Sequence, residues 1–296
     1  RAIDALNPMD RCFREALESG VTTVITGPGS ANPIGGQLAA IKTAGRCIDK
    51  MIVKAPVAMK MALGENPKTV YHGKNQTPVT RMATAALIRE QLRKAERYLD
   101  DTERALAEED FDPPEYDIKC EALLPLLRRE IPAHIHCHRA DDIFTAIRIA
   151  EEFQLDYVIV HGTEGHLITE ELAEKKARVL SGPILCDRSK PELRNLTPAC
   201  PGKLTEAGIQ TALITDHPVI PIQYLPLCAG LAVREGMDPE MALRAITIEP
   251  ARICGLDDRL GSLAVGKDAD FSVFRQNPLT IAAKPEKVFV GGREIV

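Results

Sequence analysis

The chain has 296 residues, of which 45% are hydrophobic and 27% charged, the composition of a globular protein and not of a disordered or fibrous one. Its formal net charge is -5 and no cluster of lysine and arginine stands out, so neither a nucleic-acid partner nor an anionic membrane is favoured. The 8 cysteines are scattered without C-x-x-C spacing, which argues against a disulfide scaffold or a zinc finger and favours reduced thiols in a cytoplasmic protein.

Short β-type runs alternate with helical patterns along most of the chain. The runs are GVTTVIT (20–26), AHIHCH (133–138), DYVIVHG (156–162) and QTALITDH (210–217), and they are separated by helical stretches such as DDIFTAIRIAEEF (141–153). This order predicts an α/β protein with parallel strands joined by crossover helices, the repeat that closes a barrel. We expect the barrel to occupy residues 1–258.

Other segments have patterns of their own. Residues 77–101 carry apolar side chains at steps of three and four and predict a long helix with one buried face. An acidic stretch with a proline pair at 108–117 predicts a surface connection. The glycine-rich run at 26–36 lacks phosphate-loop spacing and predicts a substrate-shaping loop or a turn. Residues 259–296 predict the strands of a small C-terminal β-sandwich.

Three side chains that can ligate a metal lie in or directly after predicted strands: His136, His161 and Asp216. The C-terminal ends of barrel strands meet at one mouth, so these groups are expected to converge. Two imidazoles and a carboxylate suit Zn²⁺ or a similar divalent ion with a position open for water. The sequence therefore predicts a metal site that activates water.

The chain has only 7 histidines, and three of them alternate along one predicted strand. Alternation places His134, His136 and His138 on the same face. His134 comes earlier on the strand and is interpreted as a residue of a barrel layer. His138 is open between a second metal ligand and a substrate contact.

Four stretches together resemble one family in their order and spacing: HIHCHRADD, VIVHGTEGH, LITDHP and the ending TIEPARICGLDDRLGSLAVGKDADFSVF. They are similar to the amidohydrolase superfamily, in particular its imidazolonepropionase-like and prolidase-like branch. The resemblance covers nearly the whole chain. It implies a distorted (β/α)8 TIM barrel with one or two divalent metal ions, which hydrolyses an amide-type C–N bond in a small cyclic amide, an N-acyl amino acid or a dipeptide.

The resemblance also implies roles for individual residues. His136 and His161 would be the metal ligands of the fifth and sixth barrel strands. Asp216 would be both the eighth-strand ligand and the general base. The side chains near the substrate would be those of His138, Arg139, His166 and His217.

Two parts of the family pattern are not found at their expected places. No His-x-His pair of a first barrel strand precedes residues 20–26. A barrel without that strand would expose sheet edges, which favours the interpretation that the chain is a piece of a longer protein. The ligand that bridges two metals would be Lys60 or Glu65. Each has an ordinary alternative, since Lys60 suits a carboxylate or phosphate contact and Glu65 a turn before Pro67.

The expected partner is a small-molecule substrate, and a homo-oligomer is left open. Two alternatives to the amide hydrolase are a metal-dependent deaminase, which would use the same activated water, and a noncatalytic barrel that serves as a binding protein. Metal content would distinguish the noncatalytic barrel from the hydrolase and the deaminase. The shape of the pocket would distinguish the hydrolase from the deaminase.

Overall fold

Ten strands form two sheets in the computed structural model, which describes residues 1–296. The larger sheet has seven strands in the order of the chain, β1 to β7, and is curved like part of a barrel. The smaller sheet is antiparallel, with the order β10-β9-β8. The strands are β1 (Thr23–Thr26), β2 (Ile34–Lys42), β3 (Ile52–Ala62), β4 (Ala133–Cys137), β5 (Tyr157–His161), β6 (Arg178–Ser181), β7 (Gln210–Leu213), β8 (Phe271–Phe274), β9 (Pro285–Val290) and β10 (Arg293–Glu294).

The expectation of parallel strands from residue 20 onward is wrong for the first part of the sheet. Strands β1, β2 and β3 are antiparallel, and only the pairs from β3 to β7 are parallel. The connections at 27–33 and 43–51 are short, whereas a parallel crossover takes a dozen residues or more. Part of the glycine-rich run at 26–36 belongs to strands, because β1 ends at Thr26 and β2 begins at Ile34.

The helices pack around this sheet and account for most of its connections. They are α1 (Arg11–Glu18), α2 (Ile48–Met51), α3 (Glu65–His72), α4 (Arg81–Ala107), α5 (Ile118–Leu127), α6 (Ala140–Glu152), α7 (Thr169–Glu174), α8 (Cys200–Glu206), α9 (Leu225–Arg234), α10 (Pro239–Arg244) and α11 (Ile248–Ile253). Short 3-10 helices occupy Ala2–Ala5, Gly165–Leu167, Pro191–Leu193 and Ile222–Tyr224. None of the helices combines the length and apolar character that a membrane-spanning segment requires.

The long helix predicted at 77–101 is present as α4 but begins and ends later. Thr80 caps it by accepting a hydrogen bond from the backbone N–H of Ala83 at 3.1 Å. Its buried face includes Ile88 and Leu92, as the three- and four-residue spacing predicts. The surface connection predicted at 108–117 joins α4 to α5.

Alternation along the strands separates the core into two layers. Ile135 and Ile159 pack with α4, α5 and α6 in the larger cluster, and Val158 and Val160 belong to the cluster on the opposite face of the sheet. On β4 this alternation leaves the even-numbered histidines facing away from the helices. His134 and His136 therefore form a buried polar strip on the same face of the sheet as Val158 and Val160, with which they pair in register.

The predicted C-terminal strands form the small sheet, although residues 261–270 are not part of a strand. The rings of Phe271 and Phe289 stack with centroids 4.5 Å apart. Lys42, at the end of β2, forms ion pairs with Asp268 (Nζ to Oδ2, 2.8 Å) and Asp270. The division of the chain into 1–258 and 259–296 stays a prediction.

Candidate metal centre

Three histidines come together at one end of the parallel strands: His136 in β4, His138 directly after it, and His161 at the end of β5. One ring nitrogen from each of His136, His138 and His161 lies within 4.8 Å of the others, and all three side chains are buried. The rings of His138 and His161 stack with centroids 4.4 Å apart, and the ring of His136 meets both nearly at right angles. Strand register explains the meeting, because Cys137 pairs with His161 and places the two strand ends side by side.

His161 reaches the cluster through an unusual backbone conformation. By alternation from Ile159 its side chain would point toward the helices, but its φ of 78° lies in the left-handed region and redirects the strand end. Asp216, after β7, has a φ of 52° in the same region. Strained non-glycine residues of this kind are concentrated at functional sites. Two of the three predicted metal ligands therefore share a backbone feature that the sequence does not reveal.

The hydrogen bonds of His161 leave one nitrogen free. Its Nδ1 lies 2.6 Å from the carbonyl oxygen of Gly182, which can only accept, so Nδ1 carries the proton. Burial lowers the pKa of His161 to about 3, and the ring is neutral at neutral pH. Its Nε2 is buried, has no hydrogen-bond partner and presents a lone pair to the cluster. This is the arrangement of a histidine that ligates a metal.

His138 is fixed in a related way. Its Nδ1 lies 2.7 Å from the hydroxyl of Thr163, and its Nε2 lies 3.7 Å from Oε1 of Glu192. Burial lowers the pKa of His138 to about 2; the nearby His161 also lowers the pKa, while Glu192 acts in the opposite direction. The structure thus places His138, for which the sequence left two roles open, among the potential ligands.

His136 completes the cluster with a second unpartnered nitrogen. Its Nδ1 is buried without a hydrogen bond, and its Nε2 lies 3.4 Å from Nδ2 of Asn66. Burial, and then the two neighbouring imidazoles, hold the pKa of His136 well below its usual range. Buried polar atoms normally have partners. Each neutral imidazole offers one unprotonated nitrogen, and three such rings together form a donor set that fits Zn²⁺ or a similar divalent ion.

Lys60 lies near the histidines, and Asp216 lies close enough to Lys60 for their charges to interact. Asp216 is exposed, yet the surrounding protein partly desolvates its carboxyl and raises its pKa, while the charges of Lys60 and Lys190 lower the pKa. Lys60 is buried on β3, where it pairs in register with His134, and burial lowers the pKa of its ammonium. Asp216 lies outside the group of three histidines. Its role as a ligand stays a prediction.

Glu65, the other candidate for a bridging ligand, begins α3. Its backbone N–H donates to Oε2 of Glu192 at 2.9 Å. Lys60 shares the buried strip with His134 and His136, so its position is closer to what a bridging group needs. The choice between Lys60 and Glu65 stays a prediction.

The remaining predicted pocket residues lie in different settings and do not belong to the histidine cluster. Arg139 precedes α6 and pairs with Asp141 at 2.8 Å. His166 lies on a 3-10 helix, with Nδ1 3.1 Å from the carbonyl oxygen of Thr163. His217 is exposed, and its Nδ1 accepts the N–H of Ile222 at 3.2 Å. Their contacts with substrate stay predictions.

Sequence reasoning missed four residues near the cluster: Asn66, Thr163, Lys190 and Glu192. All four belong to connections or to the short helices that follow strands. Polar residues in such segments give no periodic signal, so only the folded chain shows which of them turn toward the histidines. Thr163 would have been the easiest of the four to predict, because it follows the predicted ligand His161 by two positions.

Comparison with known proteins identifies the family. The model of the amidohydrolase family matches residues 8–295. An amidohydrolase structure from Thermotoga maritima MSB8 superposes with a TM-score of 0.96 at 46% identity, covering 99% of this chain and 76% of that one. The chain therefore belongs to the amidohydrolase family, and the predictions of the family and of a barrel-type α/β fold are confirmed.

Two curated proteins are also similar. Amidohydrolase tasK from Hapsidospora irregularis is 31% identical over 315 residues, a match to 99% of this chain and 32% of tasK. An imidazolonepropionase from Fusobacterium nucleatum is 35% identical over 77 residues, which are 24% of this chain and 18% of that enzyme. The chain thus spans about a third of the length of tasK, and only a short segment of it matches the imidazolonepropionase.

Proposed function

We propose that this protein is a metal-dependent amidohydrolase that cleaves the C–N bond of a small cyclic amide, N-acyl amino acid or dipeptide. The observation that carries the proposal is the cluster of three buried, neutral histidines with two unpartnered nitrogens, in a chain of the amidohydrolase family. The cytoplasm is the proposed location, which eight free cysteines support.

The residues that would hold the metal are His136 and His161 with Asp216, and His138 is placed to join them. A bound Zn²⁺ or similar ion would supply an acidified water and polarise the scissile carbonyl. The Gly182 carbonyl and the Thr163 hydroxyl fix the rings of His161 and His138, so little reorganisation is needed when a ligand arrives.

Asp216 is proposed to move the proton. One carboxylate oxygen would accept a proton from the attacking water and return it to the leaving nitrogen. Partial desolvation raises the pKa of Asp216, which makes its carboxylate a stronger base, while the charges of Lys60 and Lys190 lower this pKa. The exposure of Asp216 fits a group that meets substrate at the mouth.

The Asp216→Asn variant tests this assignment. Removing a general base lowers kcat by about 10²- to 10⁴-fold, and we expect a loss in that range for the protein supplied with Zn²⁺ or Mn²⁺. The measurement is amine release from N-acyl amino acids, dipeptides and cyclic amides. Asp258→Asn, at an exposed turn, is the matched control. Equal activity of Asp216→Asn and the unaltered protein, or no metal-dependent amine release from any of the three classes, would contradict the proposal.

A further inference from the structure

Lys190 lies beside the histidine cluster on the connection between β6 and β7. Its Nζ donates to Oδ1 of Asn66 at 2.9 Å and to Oε1 of Glu192 at 3.1 Å. An ammonium has three N–H donors, so one is left for a further acceptor. The side chain is 34% exposed, which leaves that donor within reach of a ligand at the mouth.

Glu192 holds this lysine in place. Its carboxylate is fully buried and accepts the N–H of Glu65 at 2.9 Å in addition to the ammonium of Lys190. Its Oε2 is also 4.0 Å from the guanidinium of Arg81. A surface lysine samples many rotamers, but Lys190 is anchored at two points, by Asn66 and by the buried Glu192. The ammonium of Lys190 is therefore held in a defined position beside the histidines.

Two short contacts connect Lys190 to the histidines. Asn66 accepts from Lys190 and directs its Nδ2 toward Nε2 of His136 at 3.4 Å. Glu192, on the other side, lies 3.7 Å from Nε2 of His138. An acceptor held by Lys190 would thus lie next to the place where the amide is cleaved.

The charged groups around Lys190 have more donors than acceptors. The Nε of Arg81 is shared by the two carboxylate oxygens of Asp142, at 3.1 and 3.0 Å, while its Nη2 is buried without a hydrogen bond. The charges themselves are balanced, because Asp142 and Glu192 face Arg81 and Lys190, and Asp216 faces Lys60. The excess lies in N–H donors, since Nη2 of Arg81 and one N–H of Lys190 have no acceptor. A ligand that brings an anionic oxygen would supply the missing acceptor.

We propose that Lys190 binds a carboxylate of the substrate. The inference rests on the proposed function and narrows it: the preferred substrates are N-acyl amino acids or dipeptides with a free carboxylate, and neutral cyclic amides are poor substrates. A charge-assisted bond to a partly buried ammonium separates a carboxylate from an uncharged group of similar size. Lys190 acts in binding and orientation, and the proton transfer is left to Asp216.

Matched substrates test the proposal. A panel of N-benzoyl amino acids is compared with the corresponding N-benzoyl alkylamines, in which a methyl group replaces the carboxylate. The unaltered protein should prefer the acids by at least tenfold in kcat/KM. Lys190→Met should lower this preference at least tenfold, chiefly through KM, and Lys190→Arg should recover part of it. Lys175→Met, which removes an exposed pair with Glu151, should leave the preference unchanged.

Binding of the same panel by calorimetry, with and without added Zn²⁺, separates the two proposals. If Lys190→Met binds the acids more weakly than the unaltered protein at equal metal content, the role of Lys190 in carboxylate binding is supported even without hydrolysis. Hydrolysis with the same preference for acids in both proteins overturns the role of Lys190 alone. If the protein binds the acids but does not hydrolyse them, the proposed hydrolase activity alone is overturned. If it binds none of the acids, the proposed role of Lys190 in carboxylate binding is overturned.

Discussion

At the scale of single residues, neighbouring groups determine which ring nitrogen of His138 and of His161 can ligate a metal. The Gly182 carbonyl occupies Nδ1 of His161, and the Thr163 hydroxyl lies against Nδ1 of His138. Such contacts orient the ring and fix which nitrogen can ligate. His136 and His161 were named from the sequence, because they lie at the ends of clear apolar runs. Thr163 was not, because a threonine in a connection has many ordinary roles.

Thr163→Val tests the orienting contact, since valine keeps the shape and removes the hydroxyl. Loss of a contact of this kind lowers metal affinity by about 10- to 100-fold, and we expect a decrease in that range for Zn²⁺, measured by competition with a chelator. Thr163→Ser keeps the hydroxyl and should bind nearly as well as the unaltered protein. Equal affinity in Thr163→Val would show that the contact does not orient His138.

At the scale of elements, β1, β4, β5 and β7 were predictable as strands, whereas β2, β3, β6 and the antiparallel pairing of β1 were not. β4, β5 and β7 are apolar runs with polar ends, and the fold uses them as predicted. Glycines in β2 and polar residues in β3 hide their strand character, and only pairing with neighbours compensates for that weak local preference. Asp142, in the first turn of α6, joins α6 to α4 through Arg81, a contact that the sequence does not indicate.

Arg81→Met tests this connection between the helices. The Asp142 side chain is only 4% exposed, and removal of its partner leaves a buried carboxylate without compensation. We expect the free energy of unfolding to fall by about 3 kcal/mol at neutral pH, measured by urea titration. Adding Asp142→Asn to Arg81→Met should recover part of the loss, and a change below about 0.5 kcal/mol would contradict the interpretation.

The loss of stability in Arg81→Met should also depend on pH. Burial raises the pKa of Asp142, and Arg81 counteracts it, so Arg81→Met raises this pKa further. A carboxyl with a folded pKa above the unfolded value stabilises the protein at low pH and loses that contribution as pH rises through the folded pKa. Arg81→Met should therefore be less destabilising at pH 5 than at pH 8. A loss of the same size at both values would contradict this sign.

At the scale of the whole molecule, one ion-pair network joins the large sheet to the C-terminal segment. Lys42 contacts Asp268 and Asp270, and Arg259 also contacts Asp268, at 3.0 Å. The Asp-x-Asp of the ending that resembles the family thus has a structural explanation. Its partner Lys42 lies more than two hundred residues earlier in the chain. The motif is therefore recognisable in the sequence, but its contact with Lys42 is not.

Lys42→Met should loosen the C-terminal segment, since it leaves the half-buried Asp268 and the buried carboxylate of Asp270 short of a partner. We expect limited proteolysis to cleave residues 261–296 faster than in the unaltered protein. Lys287→Met, which removes an exposed pair with Glu294, should change the rate little. Equal rates for the two variants would show that the network does not hold the segment.

The central claim is that the histidine cluster holds a divalent metal, and elemental analysis of the purified protein tests it most directly. We predict about one or two equivalents of Zn²⁺ or a similar ion per chain, and a loss of most of that metal in His161→Ala, whose Nε2 is the clearest free ligand. His72→Ala, at an exposed histidine at the end of α3, should keep the metal. A protein without metal after growth with added zinc or manganese, or the same metal content in His161→Ala, would contradict the account.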